Sequence, residues 1–201
     1  MLLAQIFQPV IQCEVLRAEI FAGKRTPLIF GEPTEWVGLL VQANQLAANG
    51  NFKGALQLRD KAFESAPTSE GKLNGQDFAW IADADSRLGP ILEVILEGRY
   101  YWVPFQRIKS IEMQAPSDLR DLVWRPAQVI WTNGGQALAH IPVRYAGTEN
   151  AKDDQLRLSR KTEWLENQEG YPVGLGQRMF ATDSGEHSLL ECKTIELSSA
   201  A

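Results

Sequence analysis

The sequence predicts an α+β protein in which a helical N-terminal part is followed by strands and hairpins. Before Pro67, apolar residues recur at helical spacing, whereas after it short apolar runs alternate with turns rich in Gly, Asn and Asp. The 201 residues can form one large core or two small ones. We therefore expect a helical region over residues 1–70 and an α+β domain with antiparallel hairpins over residues 71–201.

Three helices are predicted in the N-terminal region. The first covers about residues 5–22 and ends before Gly23, which is a favourable residue just after a helix. The second begins after Thr34 as its N-cap, and the third runs from about Phe52 until Pro67 prevents its continuation. The short turn between the last two predicts an antiparallel helical hairpin.

The third helix has the spacing of a tetratricopeptide-type unit. Ala55 and Ala62 are seven residues apart and Pro67 follows five residues later, as in the second helix of such a unit. A generic helical hairpin is an equal alternative, since leucines replace the expected large aromatic residues, at Leu39 and Leu46. One unit cannot cover its own apolar face, so we expect the first helix to pack on it or preceding helices to be missing.

The C-terminal region is predicted to alternate strands with short helices. The expected elements are a helix over residues 87–98, strands over 100–105 and 107–113, a short helix near 119–123, a hairpin of 127–132 with 136–141, a short polar helix over 153–164, a loop over 170–176, and a hairpin of 177–182 with 187–197.

Charge and cysteine usage narrow the functional classes. The formal charge of −5, from 20 basic and 25 acidic residues, argues against nucleic acid or an anionic membrane as the main partner. The apolar N-terminus is too short and too interrupted for a membrane helix or a signal peptide. Cys13 and Cys192 lie outside any metal-binding motif and indicate reduced thiols, so we expect a cytoplasmic protein.

The richest polar cluster comprises Asp83, Asp85, Ser86 and Arg87. Two carboxylates this close could bind a metal, and with Asp121 they support a metal-assisted hydrolase as an alternative function. The favoured interpretation is structural: Asp85 or Ser86 caps the following helix, while Arg87 pairs with Asp83 or Asp121.

No other pattern predicts catalysis or a cofactor. His140 and His187 have no serine elbow or cysteine dyad beside them, and we expect His140 to be a surface residue of a strand. Gly174 and Gly176 lack the residues of a nucleotide-binding loop. We therefore expect neither catalytic residues nor a metal, and the residues alone favour a protein-interaction module.

Five ordered sequence blocks resemble the ImpE family, also called TagJ, of type VI secretion accessory proteins. The blocks are LRAEIFAGKRTPLIFGEP (16–33), FAWIADADSRLGPILEVILEGRYYWVPF (78–105), DLRDLVWRPA (118–127), PVRYAG (142–147) and GLGQRMFATDSGE (174–186). The resemblance covers about residues 10–197. It implies a tetratricopeptide-like N-terminal part joined to an α+β domain, and it implies that this chain is a short form or a fragment, because members of the family usually carry more helices before it.

The resemblance also implies a non-enzymatic adaptor. Family members are associated with binding of the small sheath subunit, TssB, through its N-terminal helix, and with the ClpV unfoldase that recycles the sheath. Helix-in-groove binding would use aromatic anchors and a charged rim. We expect the anchors and polar partners to be Trp80, Tyr101, Trp102 and Trp124 with Arg87, Arg120 and Arg144. Alternatives are that these aromatics only form the core, and that the N-terminal helices mediate self-association.

Overall fold

The structure is a computed structural model that describes residues 2–165 and 172–198. Its helices are α1 (Leu2–Phe21), α2 (Glu35–Ala48), α3 (Phe52–Ser65) and α4 (Asp154–Arg157). Its strands are β1 (Leu28–Ile29), β2 (Gly71–Leu73), β3 (Gln76–Phe78), β4 (Ile81–Asp83), β5 (Ile91–Leu96), β6 (Arg99–Pro104), β7 (Ile108–Met113), β8 (Trp124–Trp131), β9 (Gln136–Pro142), β10 (Thr162–Leu165), β11 (Val173–Gly176), β12 (Met179–Thr182), β13 (Gly185–Ser188) and β14 (Thr194–Leu197).

The described strands form one large sheet and two small ones. The large sheet has nine strands in the order β1-β6-β5-β9-β8-β7-β14-β2-β3, and its pairs are antiparallel except for β1 with β6. A three-stranded sheet has the order β13-β12-β4, and β10 pairs with β11. The α+β class with antiparallel sheets is therefore confirmed.

Strands β5 and β6 separate two apolar clusters because successive side chains of a strand point to opposite faces. On one face Ile91, Ile95, Tyr100 and Trp102 pack with buried residues of α1 and α2. On the other face, alternate residues of the same strands join the larger cluster of the sheets, namely Leu92, Val94 and Val103. The helices therefore share a core with these two strands. The division of the chain into a helical unit and an α+β unit at residue 70 stays a prediction.

Helix α1 docks along one stripe of side chains on the β5–β6 hairpin. Pro9 packs against Gly98 in the hairpin turn, and the Cys13 thiol donates a hydrogen bond to the Gly98 carbonyl at 3.3 Å. One turn further on, Arg17 is buried, and near the end of the helix Ile20 is buried as well. The spacing of about one helical turn places these residues on the same face of α1.

The three predicted N-terminal helices are present at the expected places. Helix α1 is followed by Gly23 with φ of +71°, and Thr34 occupies the N-cap of α2 without a side-chain capping hydrogen bond. The side chain of Asn51 caps α3 by accepting a hydrogen bond from the Gly54 amide at 3.0 Å. Helices α2 and α3 pack on each other as a hairpin. Its likeness to a tetratricopeptide unit stays a prediction.

The helix predicted over residues 87–98 is wrong, because Ile91–Leu96 forms strand β5. A short apolar run that is buried on both faces has no periodicity that separates a strand from a helix. The following turn is the clearer signal: Glu97 and Gly98 have φ of +50° and +72°, as a two-residue hairpin turn requires. The next two predicted strands correspond to β6 and β7, with Pro104 at the end of β6.

Other short elements also differ from the predictions. Residues 119–123 form successive turns instead of a helix, because the Asp121 carboxylate accepts hydrogen bonds from the Ser117 and Asp118 amides. The polar helix over 153–164 is reduced to α4, after which the chain continues into β10. In the predicted loop over 170–176, residues 170–171 lie outside the described residues and the remainder includes strand β11.

The two predicted hairpins are present, one of them with a different second strand. Strands β8 and β9 pair around Asn133–Gly135, as expected. Strand β12 pairs with β13, but residues 187–197 are not one strand, since β13 ends at Ser188 and β14 joins the large sheet. Leu189 and Cys192 are buried in the turn between them, which moves the chain from one sheet to the other.

Candidate functional site

The two aspartates at and just after the end of β4 are each paired with an arginine. The Asp85 carboxylate accepts hydrogen bonds from Arg87 Nε at 2.9 Å and from the Gly174 amide at 2.9 Å. The Asp83 carboxylate pairs with Arg178 and accepts a hydrogen bond from the Asp85 amide at 2.9 Å. The expected pairing of Arg87 with Asp83 or Asp121 is therefore wrong, because Arg87 pairs with Asp85. No helix follows for Asp85 or Ser86 to cap.

The predicted metal cluster is not assembled. Asp121 is used by the turn at Ser117, whereas Asp83 and Asp85 are paired with arginines. In residues 2–165 and 172–198, no group of three or more His, Cys, Asp or Glu side chains is placed to hold a metal ion. The hydrolase alternative thus loses the arrangement of three carboxylates on which it depended.

The centre of the polar arrangement is Glu93, whose side chain has 0% exposure in the middle of β5. Arg17 binds it with two hydrogen bonds, from Nε to Oε1 at 2.5 Å and from Nη2 to Oε2 at 2.9 Å. Arg178 and the Tyr100 hydroxyl also donate to this carboxylate. Two guanidinium groups and a phenol therefore compensate one buried charge, as a buried carboxylate requires.

The network continues on both sides of Glu93. Trp102 Nε1 donates to the Tyr100 hydroxyl at 2.8 Å, and Arg17 Nη2 donates to the Arg144 carbonyl at 2.6 Å. On the other side, Arg178 contacts Asp83 and also donates from Nε to the Pro142 carbonyl at 2.9 Å. The charge pairs thus connect α1, β5 and the short sheet that contains β4.

Burial and charge act in opposite directions on the pKa values of the two acids. Burial alone would raise the pKa of Glu93, but the charges of Arg17 and Arg178 lower it well below the usual range. For Asp83, burial raises the pKa to about 7, because the single opposing charge of Arg178 is countered by Asp85 and Glu93 nearby. Glu93 is therefore the carboxylate that stays ionised.

Sequence reasoning missed this network although two signals for it were present. Glu93 interrupts the apolar run of residues 91–96, and Arg17 lies one turn after Cys13 and about two turns after Val10, on the face of α1 that is buried. A charged residue at a core position in each of two elements predicts a buried pair. The helix assigned to residues 87–98 concealed the first signal, because it placed Glu93 on a solvent-exposed face.

Trp80 lies at an apolar groove between the end of α3 and strand β4. The groove has a volume of about 430 Å³. Its lining includes the apolar residues Phe63, Pro67, Trp80 and Pro90, and Asp83 and Ser86 are among its polar members. Trp80 remains 40% exposed. An apolar groove with an accessible aromatic side chain is able to bind a helical or extended protein segment.

Trp124 and Arg120 form a second aromatic and charged patch beside α1. The Phe7 ring stacks on Trp124 with centroids 6.1 Å apart, and the Arg120 guanidinium lies 4.7 Å from the Phe7 centroid. Trp124 Nε1 donates a hydrogen bond to Glu14 at 2.8 Å. His140, which packs edge-on against Phe7, is half-buried in this patch, and burial lowers its pKa.

The other predicted partner-binding residues are dispersed. Trp102 is completely buried, so it stabilises the core and is not available at the surface. Tyr101 packs on Phe30 on the opposite face of the sheet. Arg87 is mostly buried against Asp85, and Arg144 donates from Nη1 to the Arg157 carbonyl at 2.9 Å. The structure therefore brings Arg120 and Trp124 together and places Trp80 alone in the groove.

Within the described residues, no helix is long and apolar enough to cross a membrane. Both cysteines are free and buried. Burial raises the pKa of the Cys13 thiol to about 11 and that of Cys192 to about 12, which favours the protonated form of both thiols at neutral pH.

The fold and the site define an α+β protein with two features. Buried charge pairs hold helix α1 on the sheet, and an apolar groove is accessible at Trp80. The family model described as ImpE protein matches residues 75–196. Over 194 residues the chain is 49% identical to the type VI secretion system accessory component TagJ of Pseudomonas aeruginosa PAO1, covering 96% of this chain and 68% of that protein. The chain belongs to the ImpE family.

A solved structure shares the fold. The crystal structure of protein VPA1032 from Vibrio parahaemolyticus superposes with a TM-score of 0.88, covering 98% of this chain and 74% of that chain. At 22% sequence identity this likeness concerns the fold alone.

Proposed function

We propose that this protein is a non-enzymatic accessory component of a bacterial type VI secretion system that acts in the cytoplasm. The supporting observation is membership of the ImpE family, together with 49% identity to a protein named as such a component. In this proposal the protein is an adaptor that binds the small sheath subunit, a TssB-like protein, and assists a ClpV-type unfoldase in recycling the sheath.

The groove at Trp80 is the proposed binding site for the N-terminal helix of the sheath subunit. A helix binds a groove through an apolar stripe, and the lining residues Phe63, Pro67 and Pro90 offer a complementary apolar surface. Trp80 would be the anchor, because exposed tryptophans are frequent binding hot spots. The α2–α3 hairpin, as a tetratricopeptide-like unit, would form one wall through Phe63.

Other predicted residues would supply secondary contacts in the same assembly. Arg120, Trp124 and Arg144 retain exposed or half-exposed surface outside the groove lining, as does Tyr101. Arginine and aromatic side chains are enriched at protein interfaces. Arg87 would act indirectly, because its pairing with Asp85 holds the segment next to Ser86 in the groove.

Calorimetric titration with a synthetic peptide that copies the N-terminal helix of the sheath subunit tests the proposal. We expect the unsubstituted protein to bind the peptide, and Trp80→Ala to weaken binding by about 2 kcal/mol or more, roughly thirtyfold in Kd. Trp164→Ala is the matched control, because Trp164 is 37% exposed and does not line the groove. Absence of binding to the unsubstituted protein, or equal losses in both variants, would contradict the proposal.

A further inference from the structure

Part of the docking of helix α1 depends on one charged side chain. Val10, Cys13 and Ile20 supply buried apolar contacts, whereas Ile11 and Val15 face away from the core. Between the buried apolar residues, Arg17 is 3% exposed at its side chain and reaches Glu93 on β5. Arg17 also pairs with Glu14 of its own helix at 3.3 Å, so Glu93 is the carboxylate that joins this buried guanidinium to the sheet.

The same carboxylate is shared with a second arginine that reaches the groove. Arg178 binds Glu93 and Asp83, and all three side chains have 0% exposure. Asp83 belongs to strand β4 and lines the groove at Trp80. An unbroken series of charge pairs therefore runs from the groove wall through Arg178 and Glu93 to Arg17.

With Asp83 ionised, this series contains two positive and two negative groups. When Asp83 loses its charge or its contact with Arg178, Glu93 is the only carboxylate left that pairs with Arg178, whereas Arg17 keeps both Glu93 and Glu14 of its own helix. The positive charge of Arg178 is then less compensated, and it opposes that of Arg17 in a low-dielectric interior. The contact that weakens is the one that holds α1 on β5.

We propose that this series of buried charge pairs couples the groove wall to α1, so that loss of the Asp83 charge releases α1 from the sheet as a unit. The two states are α1 docked and α1 released, with the sheets intact in both. The proposal goes beyond the adaptor function and needs no partner. Because the Asp83 side chain is completely buried, a ligand of the groove would shift the same equilibrium only by moving β4 and separating Asp83 from Arg178.

Thiol labelling measures the release directly. Cys13 lies on the docked face of α1, and Cys192 is buried in the cluster of the sheets, so the two thiols report on different openings. The full chain is labelled with iodoacetamide under native conditions, and the two sites are quantified by peptide mass spectrometry. For Asp83→Asn we expect about a tenfold faster labelling of Cys13, with the labelling rate of Cys192 unchanged.

Ser86→Ala is the matched control. Ser86 lines the same groove but donates its hydrogen bond to the Pro172 carbonyl, outside the series of charge pairs. We expect its labelling rates to equal those of the unsubstituted protein. An unchanged Cys13 rate in Asp83→Asn, parallel acceleration of both thiols, or the same acceleration in Ser86→Ala would overturn the proposal.

Hydrogen exchange of the unsubstituted protein gives a second test that does not require a variant to fold. Amides of α1 are expected to exchange together and faster than those of β5 and β6, since release is a partial opening. If α1 and these strands exchange with the same free energy of opening, the helix does not leave separately and the proposal fails. Neither test uses the sheath peptide, so failure here is distinct from failure of the adaptor function.

Discussion

At the scale of single residues, Glu93 is a charged side chain in the centre of the core. Its carboxylate is completely buried and accepts hydrogen bonds from Arg17, Arg178 and Tyr100. Placing such charges in the core is costly, and the attraction between them compensates the cost only while all partners are present. Removal of one charge should therefore destabilise the protein by more than the intact network stabilises it.

Replacement of Glu93 by Gln should destabilise the protein strongly. Glutamine preserves the size of the side chain but leaves the Arg17 and Arg178 charges uncompensated in the core. We expect the free energy of unfolding to fall by about 3 to 5 kcal/mol, measured by urea denaturation. Glu112→Gln is the control, because Glu112 is exposed on strand β7 and should change stability by less than about 0.5 kcal/mol. Similar losses in both variants would show that burial of Glu93 is unimportant.

The same substitution should alter the dependence of stability on pH. The pKa of Glu93 is lower in the folded protein than its ordinary value of 4.5, so the folded state binds its proton less readily than the unfolded state. The ionised Glu93 carboxylate therefore contributes to the free energy of unfolding above pH 4.5. This contribution is lost as the pH falls below 4.5 towards the lower pKa of the folded protein. Below pH 4.5, Glu93→Gln should therefore lose less stability than the unsubstituted protein.

At the scale of elements, the β5–β6 hairpin organises the helical side of the molecule. Its strands present Ile91, Ile95, Tyr100 and Trp102 to the helices, and its turn contacts α1 at Gly98. The turn needs a positive φ and also needs space for Pro9. Glycine satisfies both requirements because it has no Cβ atom.

Comparison of Gly98→Ala with Gly134→Ala should distinguish the effect of the positive φ from the effect of the contact with Pro9. A Cβ atom there would lie 2.8 Å from the Pro9 side chain, in addition to the strain of φ at +72°. Gly134→Ala is the control, since Gly134 has φ of +85° with nothing within 4 Å of the added atom. We expect about 1 to 2 kcal/mol of destabilisation from the backbone in both variants, and a further loss only in Gly98→Ala. Equal melting temperatures would show that α1 does not pack on the turn.

At the scale of the whole molecule, α1 has an apolar outer face. Ile11 and Val15 are 54% and 61% exposed and lie four residues apart, hence on the same side of the helix. An exposed apolar stripe of this kind favours association. It is the observation that supports the predicted self-association through the N-terminal helices.

Light scattering over a concentration series should reveal that self-association. We expect the average mass of the protein to rise with concentration, and Ile11→Glu to abolish the rise by placing a charge in the interface. Leu138→Glu is a suitable control, because Leu138 is 79% exposed on strand β9 and not on α1. A constant monomer mass at all concentrations would exclude self-association through this face.

Much of the fold followed from local signals in the chain. Gly23, Thr34 and Pro67 mark helix boundaries, and the Asn133–Gly135 turn fixed the β8–β9 hairpin. Strand β5 did not follow, because a short apolar run buried on both sides has no distinguishing period. The partner-binding role of the predicted residues stays a prediction: Trp80 lies in a groove but Trp102 lies in the core, because burial depends on what packs against a side chain.

The sequence by itself determined the α+β class, the helical hairpin and, through its five blocks, the family. Only the tertiary structure decided the long-range pairing of charges: it joined Asp83 to Arg178 across 95 residues and Glu93 to Arg17 across 76 residues. Caps, turns and periodicity act between neighbours along the chain, so they can be recognised in it. A buried ion pair depends on which strands and helices meet in the core, and many distant partners are equally compatible with the sequence.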